Sequence, residues 1–330
     1  MVGYPMKKIY HVAARAIGSA FGLACCALSS PALPQSLALE SAPVEAEEEA
    51  ALPQVEAGQV PEGSVGGMGD INLYPRRIVM DQRQRISSVG IYNKTPFDGD
   101  YEISISDMVM TETGAVIPVD NLPAGVDAGD LKAASDMLRW SPRRVMLPGS
   151  EAQTVRIMAR PPADLPDGEY RAHFMVVSVP KDIDEGYSIE DAVGDSAGAG
   201  ESVGVTIRPR FGISIPVIIR VGETTLDVAL RDLSLAEDAQ GEAITLTIAR
   251  SGTRSAYGDL TITAAGIDEP VAIAKGIGVY PEIDSRTVRL ALNPEFDRDR
   301  LAPGTVLTAT FVDDDYAPGR TLARQEFSVP

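Results

Sequence analysis

The residues that most often carry out chemistry are scarce in this sequence, which has two cysteines and two histidines among 330 residues. Both cysteines, Cys25 and Cys26, lie in an apolar stretch near the N-terminus, and beyond that stretch His173 is the single histidine. Catalysis by a Cys–His pair is therefore excluded there, and a metal site built from cysteine and histidine is almost excluded. His173 lies between Ala172 and Phe174 without a nucleophile-elbow motif, so we expect it to be a half-buried strand residue.

Aromatic side chains and positive charge are also in short supply. Phe, Trp and Tyr make up 5% of the residues, and 47 acidic residues against 29 basic ones give a formal net charge of −18. Few aromatics argue against sugar-stacking platforms, and the negative charge argues against nucleic acid as a partner. The run Asp313-Asp314-Asp315 lacks the glycine and glutamate of a calcium loop, so an exposed acidic turn is expected. With no glycine-rich phosphate loop either, we expect no enzymatic activity, cofactor or metal.

The N-terminus has the three parts of a secretory signal peptide. Lys7 and Lys8 precede an apolar stretch at 16–28, and small residues follow up to Ala32, after which we expect cleavage. The apolar stretch is shorter than the ~20 residues of a membrane span, and no later run approaches that length. We therefore predict a signal peptide at 1–32 and no membrane insertion after its removal.

A signal peptide without a membrane span indicates the periplasm, if the source is a Gram-negative bacterium. A lipoprotein anchored at Cys25 or Cys26 is the alternative. It is less favoured, because Leu23 lies one place too close to Cys25 for a lipoprotein signal.

Residues 33–69 have the composition of a disordered acidic leader. They are rich in Ala, Pro, Gly and Glu, with glutamates clustered at 45–49, and no Lys or Arg occurs between Arg15 and Arg76. Such a composition cannot bury enough apolar surface to fold by itself. We expect a solvated spacer.

From residue 70 onward, short alternating apolar runs recur between turn signals, a pattern typical of all-β sandwiches. We predict two β-sandwich domains, at 70–222 and 223–330, with a long acidic loop at 181–202 and a short helical excursion at 130–138 in the first. The predicted strands are 77–80, 85–93, 101–110, 116–119, 144–147, 153–158, 170–179, 226–235, 243–250, 260–264, 271–279, 286–292, 306–311 and 325–329.

A long edge strand is predicted at 203–221, where every odd position from Val203 to Ile219 is apolar. Ordinary strands have about 5–6 residues. Pro209 and Pro216 cannot donate a ladder hydrogen bond, so the strand should lie at an edge. An exposed apolar edge is hazardous unless its task is to pair with another chain. The alternative, an edge strand that only packs inward, accounts well for Ile213–Ile219.

Five short motifs, in the correct order, resemble PapD-like periplasmic chaperones for pilus assembly. They are Leu73–Met80 (LYPRRIVM), Ser141–Gly149 (SPRRVMLPG), Gln153–Ile157 (QTVRI), Asp167–Arg171 (DGEYR) and Ile215–Arg220 (IPVIIR). The resemblance runs from about residue 70 to residue 222 and continues weakly to the C-terminus. The chain is thereby identified as a divergent member of this family.

The resemblance implies two immunoglobulin-like domains set in an L shape. It implies an ATP-independent chaperone that lends its G strand to pilus or fibre subunits lacking their last strand, with an outer-membrane usher as a further partner. The subunit's C-terminal carboxylate would be bound by Arg77, or by Arg76 if the register differs by one. Because successive side chains of a strand point to opposite faces, only one of these two arginines should point into the cleft between the domains. The implied donor side chains are Val203, Val205, Ile207, Phe211 and Ile213.

Some positions depart from the family's pattern. With Arg220 aligned to the family's late arginine, the cleft lysine falls on Pro216, and Arg208 and Arg210 are poorly placed to replace it. The acidic loop at 181–202 resembles that of the long-loop branch but lacks its cysteines.

Two other functions stay open. The first is a structural β-sandwich protein, such as a surface-fibre subunit or adhesin. Such a subunit needs an N-terminal donor extension, for which residues 33–68 are too acidic and irregular. The second is a secreted hydrolase or sugar-binding sandwich.

Overall fold

The computed structural model describes residues 52–53, 55–67, 69–180, 210–238 and 241–329. The predicted signal peptide, the glutamate cluster, the acidic loop and the expected donor residues Val203, Val205 and Ile207 lie outside these ranges. Within them, no helix is long and apolar enough to cross a membrane.

The described chain consists of β-strands joined by turns and by short 3₁₀ segments at Val119–Asn121, Ser135–Met137 and Arg298–Arg300. The strands are β1 (Val65–Gly66), β2 (Ile71–Tyr74), β3 (Ile78–Met80), β4 (Ile86–Asn93), β5 (Gly99–Ser106), β6 (Met108–Met110), β7 (Val116–Pro118), β8 (Leu138–Ser141), β9 (Arg144–Leu147), β10 (Ala152–Ala159), β11 (Gly168–Val179), β12 (Gly212–Val221), β13 (Leu226–Asp238), β14 (Gly241–Gly252), β15 (Ala256–Ala264), β16 (Ala272–Val279), β17 (Ser285–Ala291), β18 (Val306–Asp313) and β19 (Thr321–Ser328).

The strands form two β-sandwiches, each with its own core. In the first, sheet β1-β2-β4-β10-β8 packs on sheet β3-β12-β11-β5-β9. In the second, sheet β13-β14-β17 packs on sheet β16-β15-β18-β19. The predicted all-β class with two sandwiches is confirmed. β6 and β7 form a separate hairpin, and Met110 of β6 packs with Ile218 of the first sandwich and Tyr280 of the second.

Burial along the strands follows the alternation that the sequence displays. In β18, every second residue from Leu307 to Asp313 is buried, while the residues between them are half-buried. A sheet with one face on a core requires this period of two, because successive side chains point to opposite faces.

The expected helical excursion at 130–138 is wrong. Only Ser135–Met137 form a 3₁₀ turn, and Leu138 begins β8. Backbone N–H groups of this segment donate hydrogen bonds to other parts of the first sandwich rather than within a helix. The Ala134 N–H donates to the Arg171 carbonyl (3.2 Å), and the Ser135 N–H donates to Asp107 Oδ1 (3.1 Å).

The end of the predicted disordered leader is folded, which corrects the expectation for residues 55–67. β1 pairs with β2, and the Gly58 N–H donates to the Ser150 carbonyl at 2.8 Å. Val65 packs against the first core, and Pro61 is buried. Residues 33–69 are on average rich in Ala, Pro, Gly and Glu, and that composition did not indicate that Pro61 and Val65 are packed.

Candidate functional site

The end of the long alternating segment forms β12, which has one open side. β12 pairs with β11 along its whole length, but with β3 only at Val217–Ile219. From Gly212 to Pro216, its outer side therefore has no strand partner among the described residues. The Ser178 N–H donates to the Phe211 carbonyl (2.8 Å), so the alternation of the ladder turns position 216 outward. A proline is tolerated there because no partner strand requires its N–H.

Two of the expected donor side chains, Phe211 and Ile213, are described. Phe211 is 42% exposed, Ile213 is half-buried against the first core, and Ile215 on the same face of the strand is 1% exposed. This face therefore changes from core-facing to solvent-facing as the strand passes beyond the sandwich. Of the expected donor residues in the described ranges, Phe211 is the one whose apolar side chain is exposed.

Arg77 joins the two sandwiches. It follows β2 of the first sandwich, and its Nη2 donates to Ser255 Oγ (2.7 Å) and Asp315 Oδ2 (2.8 Å) of the second. The guanidinium carbon also lies 4.5 Å from the ring centre of Tyr257. The expected carboxylate anchor thus faces the junction of the sandwiches, where it already binds a carboxylate of its own chain.

Arg76 lines the same cleft as Arg77, so the expectation that only one of them faces it is wrong. Residues 75–77 form a bend between β2 and β3, where the alternation of a strand does not apply. Arg76 Nε donates to the Gly63 carbonyl (3.1 Å). In the described part of the chain, Arg76 has no ion-pair partner.

The cleft between the sandwiches has a volume of about 490 Å³. Its basic side chains are Arg76, Arg77 and the exposed Lys275 of β16, and its acidic ones are Glu62, Asp259, Asp314 and Asp315. Lys275 is a lysine that the sequence reasoning did not consider. Arg210 is one of the two arginines considered as a replacement for the missing cleft lysine. It is exposed and lies beside Glu102, with 3.2 Å between Arg210 Nη2 and Glu102 Oε2. Arg208 is outside the described residues.

The expected exposed turn at 313–315 is instead part of the junction. Asp313 is buried, and its carboxylate accepts the N–H groups of Asp315 (2.9 Å), Tyr316 (3.1 Å) and Ala317 (3.1 Å). These hydrogen bonds hold the turn so that the Asp315 carboxylate points inward, where it accepts hydrogen bonds from Arg77 and Arg220. The acidic run was expected to be exposed, and no basic residue lies next to it in the sequence. The arginines that pair with Asp315, Arg77 and Arg220, are distant in sequence.

Arg220 lies between two carboxylates. Its Nε donates to Glu169 Oε2 (3.2 Å), and its Nη1 donates to Asp315 Oδ1 (3.2 Å) while Nη2 bonds Oδ2. Burial would raise the pKa of Asp315, but Arg77, Arg220 and Arg254 outweigh it and hold the pKa below its usual value. Burial acts to lower the pKa of Arg220, yet its two carboxylates raise it. Asp315 and Arg220 therefore both stay charged at neutral pH.

A second buried ion pair crosses the junction. Arg171 of β11 binds Glu282, and its Nη2 also donates to the Met108 carbonyl (2.7 Å). Glu282 Oε1 accepts the Met110 N–H (3.0 Å), and Tyr280 lies against Arg171 with 3.7 Å from guanidinium carbon to ring centre. Arg171 and Glu282 were not among the sequence-based candidates.

His173 is fully buried, at 3% exposed, which corrects the expected half-burial. Its ring meets the Tyr280 ring edge-on with centres 6.4 Å apart, and its Nδ1 has no hydrogen-bond partner among the described residues. Burial, with the nearby charges of Arg171 and Arg77, lowers its pKa well below the ordinary value. It is therefore neutral in the folded chain and packs as part of the junction.

No protein-family model and no curated protein sequence matches the chain. Among solved structures, it is similar to the YadV chaperone, at 13% identity and a TM-score of 0.39, covering 79% of this chain and all of that one. The CupB2 chaperone of Pseudomonas aeruginosa matches at 12% identity and 0.37, covering 77% and 97%. The Salmonella enterica SafA pilin in complex with the SafB chaperone matches at 12% and 0.37, covering 80% and 99%. At these low scores, a function has to be argued from the chain's own residues.

Proposed function

We propose that this chain is an ATP-independent periplasmic chaperone, which holds a secreted pilus or fibre subunit by donating its edge strand. The observation that carries the proposal is the open outer side of β12 from Gly212 to Pro216, which continues into the exposed side chain of Phe211. Main-chain groups on such an edge pair with an added strand, and alternate side chains fill the partner's groove. In the sequence, the same alternation continues back to Val203, Val205 and Ile207, which we propose as further donor residues.

The cleft between the sandwiches supplies the second part of the proposal, a site for the subunit's C-terminal carboxylate. Arg77 already binds Asp315, whereas the partner that Arg76 has among the described residues is a carbonyl, and Lys275 is exposed. We infer that Arg76 and Lys275 receive the carboxylate directly, and that Arg77 adds its charge while holding the cleft together. An outer-membrane usher would then receive the loaded chaperone.

The test is capture of a partner by the mature chain in the periplasm, with the partner identified by mass spectrometry. Burying a phenylalanine side chain contributes about 1.5–3 kcal/mol, so Phe211→Ser should lower recovery at least about tenfold. Its melting temperature should stay near that of the wild type, because Phe211 lies outside the core. Phe97→Ser is the matched control, since Phe97 is 76% exposed in the turn before β5.

Equal recovery by Phe211→Ser and the wild type would rule out the donor role. Recovery of the chain itself as a polymer at the cell surface would favour the structural fibre subunit or adhesin instead.

A further inference from the structure

The folded end of the leader lies over both parts of the proposed binding site. We call residues 61–67 the leader clasp. They contain β1, and they run from the cleft between the sandwiches to the start of β12. The upstream end of the clasp lies at the cleft beside Arg76, and its downstream end lies at the start of the open edge.

At the edge, glycines bring the leader into contact with β12. A Cβ placed on Gly67 would lie 3.9 Å from the Gly212 carbonyl oxygen and 4.0 Å from Ile213 Cβ. A Cβ on Gly69 would lie 3.1 Å from Phe211 Cβ. Residues without a side chain allow this close backbone approach. An added strand would have to occupy the same side of Gly212.

At the cleft, the clasp contacts the unpaired arginine. The Gly63 carbonyl accepts from Arg76 Nε (3.1 Å), and the carboxylate-bearing Glu62 lines the cleft beside Arg76 and Lys275. A carbonyl and an acidic side chain of the chain itself therefore lie where a partner's carboxylate would enter.

The clasp is held by few contacts. β1 has two residues, whose strand partners in the described part of the chain are Leu73 and Asn72 of β2, and Val65 is its side chain against the core. Segments with few buried contacts open locally at low free-energy cost.

We propose that the leader clasp is an intramolecular placeholder, which covers the Gly212 end of the open edge of β12 and one side of the cleft until a subunit displaces it. The proposal rests on the proposed function, because the displaced positions are those that a subunit would take. It assigns a task to the folded end of the leader, namely to keep an apolar edge from pairing with the wrong chain.

A reversible crosslink tests the competition. Cysteines at Gly67 and Ile213 would have Cβ atoms 4.0 Å apart, within the range of a disulfide, and the mature chain has no other cysteine after cleavage at the predicted site. The probe is the partner that the wild type retains in the capture experiment, unfolded in urea and diluted into the chaperone. The oxidised G67C/I213C chain should capture at least about tenfold less of it than the same chain after reduction. Equal capture by the two forms overturns the placeholder, and the single variants control for the oxidant.

A second variant tests the clasp without any partner. In an Ile213→Cys chain, Val65→Asp should open the clasp, so that the thiol at position 213, where Ile213 is half-buried, is alkylated at least about tenfold faster. Val55→Asp in the same background is the matched control, because Val55 is exposed in the same leader. Unchanged alkylation with Val65→Asp overturns the clasp, whatever the wild type captures. Failure of the wild type to retain any partner counts against the donor function alone.

Discussion

Arg77 and Asp315 form a buried ion pair across the junction of the two sandwiches, with 2.8 Å between Nη2 and Oδ2. Their side chains are 5% and 9% exposed. Arg220 binds the same carboxylate and continues to Glu169, so that one network of four charged groups connects β11, β12 and the turn after β18. The junction is therefore electrostatic as well as apolar.

Removing the shared carboxylate should be costly. Asp315→Asn leaves the buried Arg77 with a neutral partner and Arg220 with Glu169 as its remaining carboxylate, and breaking a buried pair from one side typically costs about 3–5 kcal/mol. We expect a loss of this size in the free energy of unfolding, measured with urea. Asp314→Asn is the matched control, because Asp314 is exposed, and it should change stability by no more than about 0.5 kcal/mol. Equal stability of the two variants would show that the network contributes little.

Asp315 should also make stability depend on pH in a defined direction. Burial raises its pKa, but its arginine partners outweigh burial and hold the pKa below the ordinary value of 3.8. As the pH falls, the unfolded chain therefore takes up this proton first. The contribution of Asp315 is complete above about pH 3.8, and it is lost as the pH falls through the lower pKa of the folded chain. The difference in unfolding free energy between wild type and Asp315→Asn should shrink over that window, and a constant difference would contradict this.

The strands could be predicted from the sequence, because their signal is local. The alternation in β10, β14 and β18 is visible within strands of eight to twelve residues, and the turn residues between strands mark their ends. β8 was missed, since its four residues follow a polar segment that resembles a short helix.

The junction could not be predicted in the same way. Arg77 and Asp315 are separated by 238 residues, and Arg171 and Glu282 by 111, so no local pattern connects them. The sequence of β11 does contain one local indication of the junction. β11 is buried on both faces over Gly168–Phe174, yet it has charged or titratable residues at every second position, as Glu169, Arg171 and His173. Such a row in an otherwise apolar strand indicates a face that packs on a second domain.

His173 should produce a second pH dependence, at higher pH. Its pKa lies well below the ordinary value of 6.5, because burial and the charges of Arg171 and Arg77 disfavour protonation. The unfolded chain binds this proton below pH 6.5 while the folded chain does not, so stability should fall by about 1.4 kcal/mol per pH unit below that value. His173→Phe should remove this slope in chemical denaturation between about pH 7 and pH 5. It also removes Nδ1, a buried atom without a hydrogen-bond partner in the described ranges, so stability at pH 7.5 should be unchanged or about 1 kcal/mol higher. An unaltered slope would show that another group titrates.

Arg76 and Arg77 should have different tasks, although they are adjacent and line one cleft. Arg77 is committed to Asp315 and Ser255, so Arg77→Gln should lower the free energy of unfolding. Within the described ranges Arg76 bonds only the Gly63 carbonyl, so Arg76→Gln should leave stability near that of the wild type. A charge-assisted hydrogen bond to a subunit carboxylate contributes about 1.5–3 kcal/mol, so Arg76→Gln should weaken capture by about 10- to 100-fold.

The comparison of these two variants separates anchoring from folding, because capture and unfolding are measured on the same preparations. Arg83→Gln is the control for loss of a positive charge, since Arg83 is exposed and lies outside the cleft. Lys275→Gln should have a smaller effect on capture than Arg76→Gln, because an exposed lysine offers no bidentate fork and its charge is screened. If Arg76→Gln captures normally while a folded Arg77→Lys does not, the carboxylate binds Arg77 directly, and Asp315 must then share its arginine with the subunit.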